Sequence, residues 1–281
     1  MVEHLPLLEE MAGLSLKRAR LARASCPEAE MSRQALDALP APAVRFDESG
    51  FDLIAELKLR APSADDFAAD AWGIRNRVIE YASGGATVVS VLTEPTRFGG
   101  SLDHLRQSAD VLREHGVPVM RKDFLLDPYQ LMEARAAGAG GVLLIMRMLS
   151  DFQTSELLDC AAKLGLFVLL ECFDLSDLGR ARSLVMGKNP EDRAIWLGLN
   201  TRDLSTLKVD PSQLESLMDE FPPGWVKVAE SGILSAADAR YAAGLGYDMA
   251  LVGTALMRTD RPQILVDHLL KSGRDAAAFT I

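Results

Sequence analysis

Short runs rich in Val, Ile and Leu recur along this chain, separated by longer segments with helical periodicity. This is the pattern of β-α units whose strands are covered on both faces. Eight runs stand out, at residues 51–58, 87–92, 118–122, 141–145, 167–171, 195–200, 226–229 and 249–252. Each is followed by a helix-like stretch, at 72–83, 102–115, 128–137, 151–164, 175–185, 211–221, 236–245 and 262–271. Asp127-Pro128 puts proline at a first helical position, and Gly116, Gly138, Gly165 and Gly244 fall where helices should stop. Ahead of the first strand, residues 5–24 read as an amphipathic helix with Lys17, Arg18, Arg20 and Arg23 on its polar side, and 39–43 as an ordered connector.

Eight strands alternating with eight helices predict a closed (β/α)8 barrel. An open doubly wound sheet would normally stop at fewer strands and carry G-x-G-x-x-G after the first. Here the first strand runs into Leu57-Lys58-Leu59-Arg60-Ala61-Pro62 instead. The expectation is an α/β protein in which residues 1–281 form one barrel domain, with 1–48 a helical extension.

Composition narrows the partners. A length of 281 residues with 48% hydrophobic side chains suits one barrel, and a formal charge of -10 disfavours nucleic acid and anionic membranes. The basic N-terminal helix is therefore expected to cap one end of the barrel with its charges in solvent. Three cysteines without C-x-x-C spacing, an acidic N-terminus and the lack of a long apolar run suit a cytoplasmic protein. Monomer and homodimer are both compatible with this composition.

Reactive groups in such barrels sit at the C-terminal ends of the strands. Those ends carry Glu56 and Lys58, Lys122, Glu171, Asn200 with Arg202, and Glu230 with Ser231. Two lysines and three glutamates at one mouth would shift one another's pKa values, which is how a site obtains an acid and a base near neutral pH. After the last two strands, Glu230-Ser231-Gly232 and Gly253-Thr254 place glycine beside a small hydroxyl residue, as in barrel loops that hold phosphate with backbone N–H groups. Lys58 would supply the opposing charge. His4, His104, His115 and His268 fall away from the strand ends, so no metal is expected, while a Schiff base at Lys122 stays open.

Six linked blocks resemble the indole-3-glycerol phosphate synthase family. They are Ile54-Ala-Glu-Leu-Lys58 with Pro62-Ser63; Ser90-Val-Leu-Thr93 with Phe98-Gly-Gly-Ser101; Arg121-Lys-Asp-Phe124 with Asp127-Pro-Tyr-Gln130 and Glu133-Ala-Arg-Ala136; Gly198-Leu-Asn-Thr-Arg-Asp-Leu204; Ala229-Glu-Ser-Gly-Ile233; and Leu251-Val-Gly253 with Leu256-Met257. The resemblance implies decarboxylating ring closure of 1-(2-carboxyphenylamino)-1-deoxyribulose 5-phosphate to indole-3-glycerol phosphate in tryptophan biosynthesis, without a cofactor. By the same resemblance Lys122 would be the general acid, and Asn200 and Arg202 would orient the substrate. Glu171 would take a proton late, with Lys58 assisting loss of water, and Glu56 and Glu230 would position the lysines and the substrate hydroxyls. Phe98, Phe124, Leu143 and Ile145 would wall the aromatic ring. Ser231, Gly232, Gly253 and Thr254 would surround the phosphate, with Pro62 a further substrate contact.

One stretch departs from the family pattern. Where the family continues with a basic residue, one variable position and Ser-Pro-Ser-Lys-Gly, this chain has Leu59-Arg60-Ala61-Pro62-Ser63-Ala64-Asp65-Asp66. Losing a hydroxyl and a positive charge should weaken the grip on an anion or slow closure of that loop. A diverged member acting on another phosphorylated aromatic or keto substrate, and a catalytically silent barrel, are therefore the alternative readings.

Overall fold

Eight parallel strands close into a barrel in the computed structural model, which describes residues 6–60, 71–204 and 206–278. The strands are β1 (Asp52–Leu57), β2 (Val88–Leu92), β3 (Val119–Lys122), β4 (Gly141–Ile145), β5 (Phe167–Cys172), β6 (Ile195–Asn200), β7 (Val226–Glu230) and β8 (Met249–Val252). Each pairs with the next in sequence, and β8 returns to β1 through Ile54 opposite Leu251. Three of the eight expected strands match to the residue, and the others differ by one position at one or both ends.

Strand periodicity sorts the apolar side chains into two layers. Leu53, Ala55, Leu57, Val89 and Val91 face outward into the shell of helices, whereas Ile54, Val88, Met120, Leu143, Leu169, Trp196 and Val228 fill the barrel interior. The floor of the interior is aromatic. Phe167 stacks on Trp196 with ring centroids 4.3 Å apart, and Phe46, from the connector before β1, meets Trp196 edge-on at 5.9 Å. Gly141 makes this possible, because a Cβ there would lie 2.2 Å from the Phe167 ring. With the floor packed, open space remains at the opposite, C-terminal end of the strands.

The helices depart from expectation where local chemistry overrides periodicity. The expected 211–221 helix is a short α-helix, Ser212–Ser216, followed by a 3-10 turn, Met218–Glu220. Phe221 precedes Pro222, which drives it to the extended φ of -69° and ψ of 134° and ends the helix. The last helix runs through Ser272-Gly273 to Ala277. A Cβ at Gly273 would sit 2.1 Å from the Phe51 ring, so this glycine serves close packing rather than termination. Gly116, Gly138 and Gly165 take the positive φ expected past a helix end, but at the fourth such site Gly246 does so instead of Gly244.

The N-terminal extension holds two helices, α1 (Pro6–Ser25) and α2 (Glu28–Asp37). The expectation that the charges of α1 are solvated is wrong for two of them. Arg18 reaches Asp123 at 2.6 Å and Glu94 at 3.7 Å, and Arg23 reaches Asp127 at 2.7 Å. The side-chain hydroxyl of Ser15 donates to the carbonyl of Phe124, and the Gln130 amide donates back to Ser15 at 2.8 Å. These contacts fasten α1 beside the end of β3. Among the described residues no helix is long and apolar enough to cross a membrane.

Candidate active site

A cavity of about 240 Å³ opens at the C-terminal ends of the strands, beneath Leu7 and Leu8 of α1. It is lined by Glu56, Lys58, Phe98, Lys122, Phe124, Leu143, Ile145, Glu171, Asn200, Arg202, Glu230, Ser231, Gly232, Gly253 and Thr254. These are the residues expected from the sequence, with one exception. Pro62 lies outside the described residues, as do Ala61, Asp65 and Asp66 of the departing loop.

The ammonium of Lys122 borders this cavity. It lies 3.3 Å from Glu171 Oε1 and 3.8 Å from Glu230 Oε2. Burial works against its charge, but the carboxylates of Glu171, Glu230 and Glu56 outweigh that and raise its pKa above the ordinary lysine value. Lys122 is therefore a charged hydrogen-bond donor at neutral pH, not the free amine that a Schiff base would need.

Glu171 is fixed from a second side. The Asn200 amide donates to Glu171 Oε1 at 2.7 Å, and Asn200 Oδ1 accepts from the Ser231 hydroxyl at 2.8 Å and from the backbone N–H of Arg202 at 3.0 Å. One side chain thus ties β5 to the loops after β6 and β7. Ser231 and Gly232 both have left-handed backbone, with φ of 66° and 79°. For Ser231 that conformation is uncommon in a residue with a side chain, and it occurs where its hydroxyl meets Asn200.

Glu56 and Lys58 form the second charged pair, 3.0 Å apart. Burial opposes ionisation of Glu56, but Lys58, Lys122 and Arg202 together hold its carboxyl below the usual range. Lys58 also donates to the Thr254 hydroxyl at 3.0 Å. Thr254 opens the short helix Thr254–Arg258, so a cation and a helix N-terminus meet at one point, the arrangement expected to hold a phosphate. Glu230 differs from the other acids. Burial pushes its carboxyl well above the usual carboxylate range, Glu171 adds to the effect and Lys122 offsets only part of it.

The apolar side of the cavity is built around Phe98 and Phe124, with ring centroids 6.4 Å apart. Phe98 ends the one-turn helix Pro95–Phe98, whose backbone N–H groups donate to the buried carboxylate of Glu94. Phe124 follows Asp123, whose carboxylate accepts from the Phe124 N–H at 2.8 Å. Glu94 and Asp123 are the two acids that Arg18 of α1 contacts, so one guanidinium links both halves of the aromatic wall. Sequence reasoning missed this. A signal was present in the apolar Leu7, Leu8 and Met11 of α1, which need a surface to cover.

Comparison with known proteins sets this geometry beside relatives. A family model described as indole-3-glycerol phosphate synthase matches residues 16–269. An indole-3-glycerol phosphate synthase of Arthrobacter sp. (strain FB24) is 38% identical over 232 residues, covering 82% of this chain and 80% of that protein. One from Beutenbergia cavernae is 38% identical over 262 residues, covering 90% and 91%. Among solved structures, 3-hexulose-6-phosphate synthase from Salmonella typhimurium superposes with a TM-score of 0.61 at 16% identity, over 80% of this chain and 99% of that one. At that identity the likeness is one of fold alone.

Proposed function

This chain belongs to the indole-3-glycerol phosphate synthase family, and on that premise we propose a role for each group at the barrel mouth. The reaction is the closure of 1-(2-carboxyphenylamino)-1-deoxyribulose 5-phosphate to indole-3-glycerol phosphate in tryptophan biosynthesis, with release of carbon dioxide and water. It is lyase chemistry and requires three things of the protein. The ketone oxygen must be protonated as the aromatic carbon attacks, the charged intermediate must be held, and a proton must be removed as water leaves.

Lys122 is the acid at the first step. Its proton passes to the ketone oxygen while the carboxyl-bearing ring carbon bonds to the carbonyl carbon, and departure of carbon dioxide restores the aromatic ring. Arg202 and Asn200 orient the substrate and face the charge that develops, in a pocket from which Phe98, Phe124, Leu143 and Ile145 exclude water. Glu171 takes the proton released during dehydration, and Lys58 assists the departing hydroxyl. Glu56 and Glu230 keep the two lysines and the substrate hydroxyls in place. Gly232, Gly253, Thr254 and Ser231 surround the phosphate, with Lys58 as counter-charge.

The observation that carries this reading is the position of the Lys122 ammonium, 3.3 Å from a Glu171 carboxylate that Asn200 orients on its other side. An acid and a base are thereby adjacent and held in fixed geometry, as successive proton transfers in one pocket require. Incubating the folded protein with the carboxyphenylamino-deoxyribulose phosphate should produce indole fluorescence. A folded preparation that generates none refutes the reading.

A further inference from the structure

Glu230 is a carboxyl group with an unusual setting: it is 1% exposed, and neither oxygen has a hydrogen-bond partner among the described residues. Its polar neighbours are the Lys122 ammonium at 3.8 Å and the Glu171 carboxyl, and a long, flexible acid held only by these would ordinarily turn toward solvent, since burial with so few partners is costly. Something further must seat it there. The neighbouring strand supplies it. In the β6–β7 register Asn200 is opposite Glu230 and Gly198 is opposite Val228, so Gly198 is one inward-facing position below the level of Glu230. A Cβ built on Gly198 would be 2.1 Å from Glu230 Oε1 and 3.1 Å from its Cδ. The carboxyl group therefore occupies the volume that a side chain at 198 would fill. The same device recurs at the β8–β1 seam, where a Cβ on Gly253 would be 2.2 Å from Glu56 Oε1.

We propose that Gly198 is a positioning residue for the reaction: its missing side chain forms the socket that seats the Glu230 carboxyl within reach of Lys122 and Glu171. The inference rests on the reading that Glu230 serves ring closure. With only hydrogen at 198, Glu230 leans over β6 and down into the barrel, where its Oε2 lies 3.8 Å from Lys122 Nζ. A methyl group at 198 expels it upward, into the space the substrate must enter. The collision is with the far end of a flexible side chain, so the fold can relieve it by moving Glu230. Besides Glu230, the close contact is Leu169 Cδ1 at 3.0 Å, which must give by a few tenths of an ångström. Damage should thus fall on activity more than on folding.

The test is a double-mutant cycle of Gly198→Ala and Glu230→Ala in the full chain, read as kcat and KM for ring closure, with Tm measured on each protein. Gly198→Ala alone is expected to lower kcat by roughly tenfold or more, with Tm nearly unchanged. In the Glu230→Ala background, where the carboxyl is gone, Gly198→Ala should change kcat by less than twofold. If Glu230→Ala leaves too little activity to read, the cycle is repeated on the Kd of indole-3-glycerol phosphate by calorimetry, with the same non-additivity expected. Should Gly198→Ala fail to fold, recovery of folding in Gly198→Ala/Glu230→Ala supports the socket, and failure of both overturns it in favour of simple packing against Leu169. Multiplicative effects of the two substitutions, or a fully active Gly198→Ala beside an impaired Glu230→Ala, overturn the socket. Full activity in Glu230→Ala itself refutes instead the role assigned to Glu230.

Discussion

Asn200 is where a small change should be most informative, because three hydrogen bonds at one amide join the catalytic base Glu171, the turn after β7 and the start of the loop after β6. In Asn200→Ala all three are lost. A hydrogen bond to a charged group contributes about 1.5–3 kcal/mol and a neutral one about 1 kcal/mol. Glu171 keeps its contact with Lys122 at 3.3 Å, and water can replace part of the rest, so a net loss of about 3 kcal/mol is expected. If that stabilisation acts in the transition state, kcat/KM falls by about two orders of magnitude, at 1.4 kcal/mol per factor of ten. Asn200→Asp provides the sharper comparison. It keeps the acceptor for Ser231 and for the Arg202 N–H, but it replaces the donor facing Glu171 with a second carboxylate at the 2.7 Å contact. Two like charges that close repel by about 6 kcal/mol at an effective dielectric constant of about 20, an upper value because one of them will take up a proton. The Asp variant should therefore be slower than the Ala variant despite being nearly isosteric with the parent. Initial rates of indole fluorescence at limiting and saturating substrate, with Tm measured in parallel, decide the matter. An Asp variant as active as the parent, or more active than the Ala variant, would refute the assignment of Asn200 as the group that orients Glu171.

Three further expectations follow from the structure. Lys122→Ala should lower turnover by about two orders of magnitude or more. In the parent protein, surrounding carboxylates raise the Lys122 pKa, so the acid form persists above the ordinary lysine range and activity is lost only as pH rises through that raised value. Glu171→Gln removes the nearest of those carboxylates and should move the alkaline limb of the pH–rate profile to lower pH; an unmoved limb would separate it from Lys122. Arg18→Ala should remove the link between Glu94 and Asp123 while leaving Asp123 its contact with Arg121 at 3.2 Å. A cost of about 2 kcal/mol would lower Tm by about 5 °C and, by loosening the aromatic wall, should raise KM more than it lowers kcat. Unchanged Tm and KM would mean that α1 is held without this cation.

How much of this was legible beforehand depends on the range of the interaction involved. The strand runs and the helices between them could be read along the chain, because burial on both faces leaves near-continuous apolar segments and fold closure follows from counting them. Identifying the polar groups at the mouth needed no more than noticing which ionisable residues end those segments. What could not be read are the contacts between residues far apart in sequence. Arg18 looked like a solvated charge because nothing local reveals Asp123, 105 positions away. Some glycines are silent for a related reason: Gly141 and Gly198 lie in the apolar strand runs and Gly273 beyond the last expected helix, with nothing local to mark them, yet each is defined by what another element puts in its empty space. The identity of a side chain and its periodicity are written in the sequence, and they specified the barrel and its reactive end. The partner of each charge and the occupant of each void exist only once distant strands and helices are packed together, and that packing decided which carboxyl lies against which lysine.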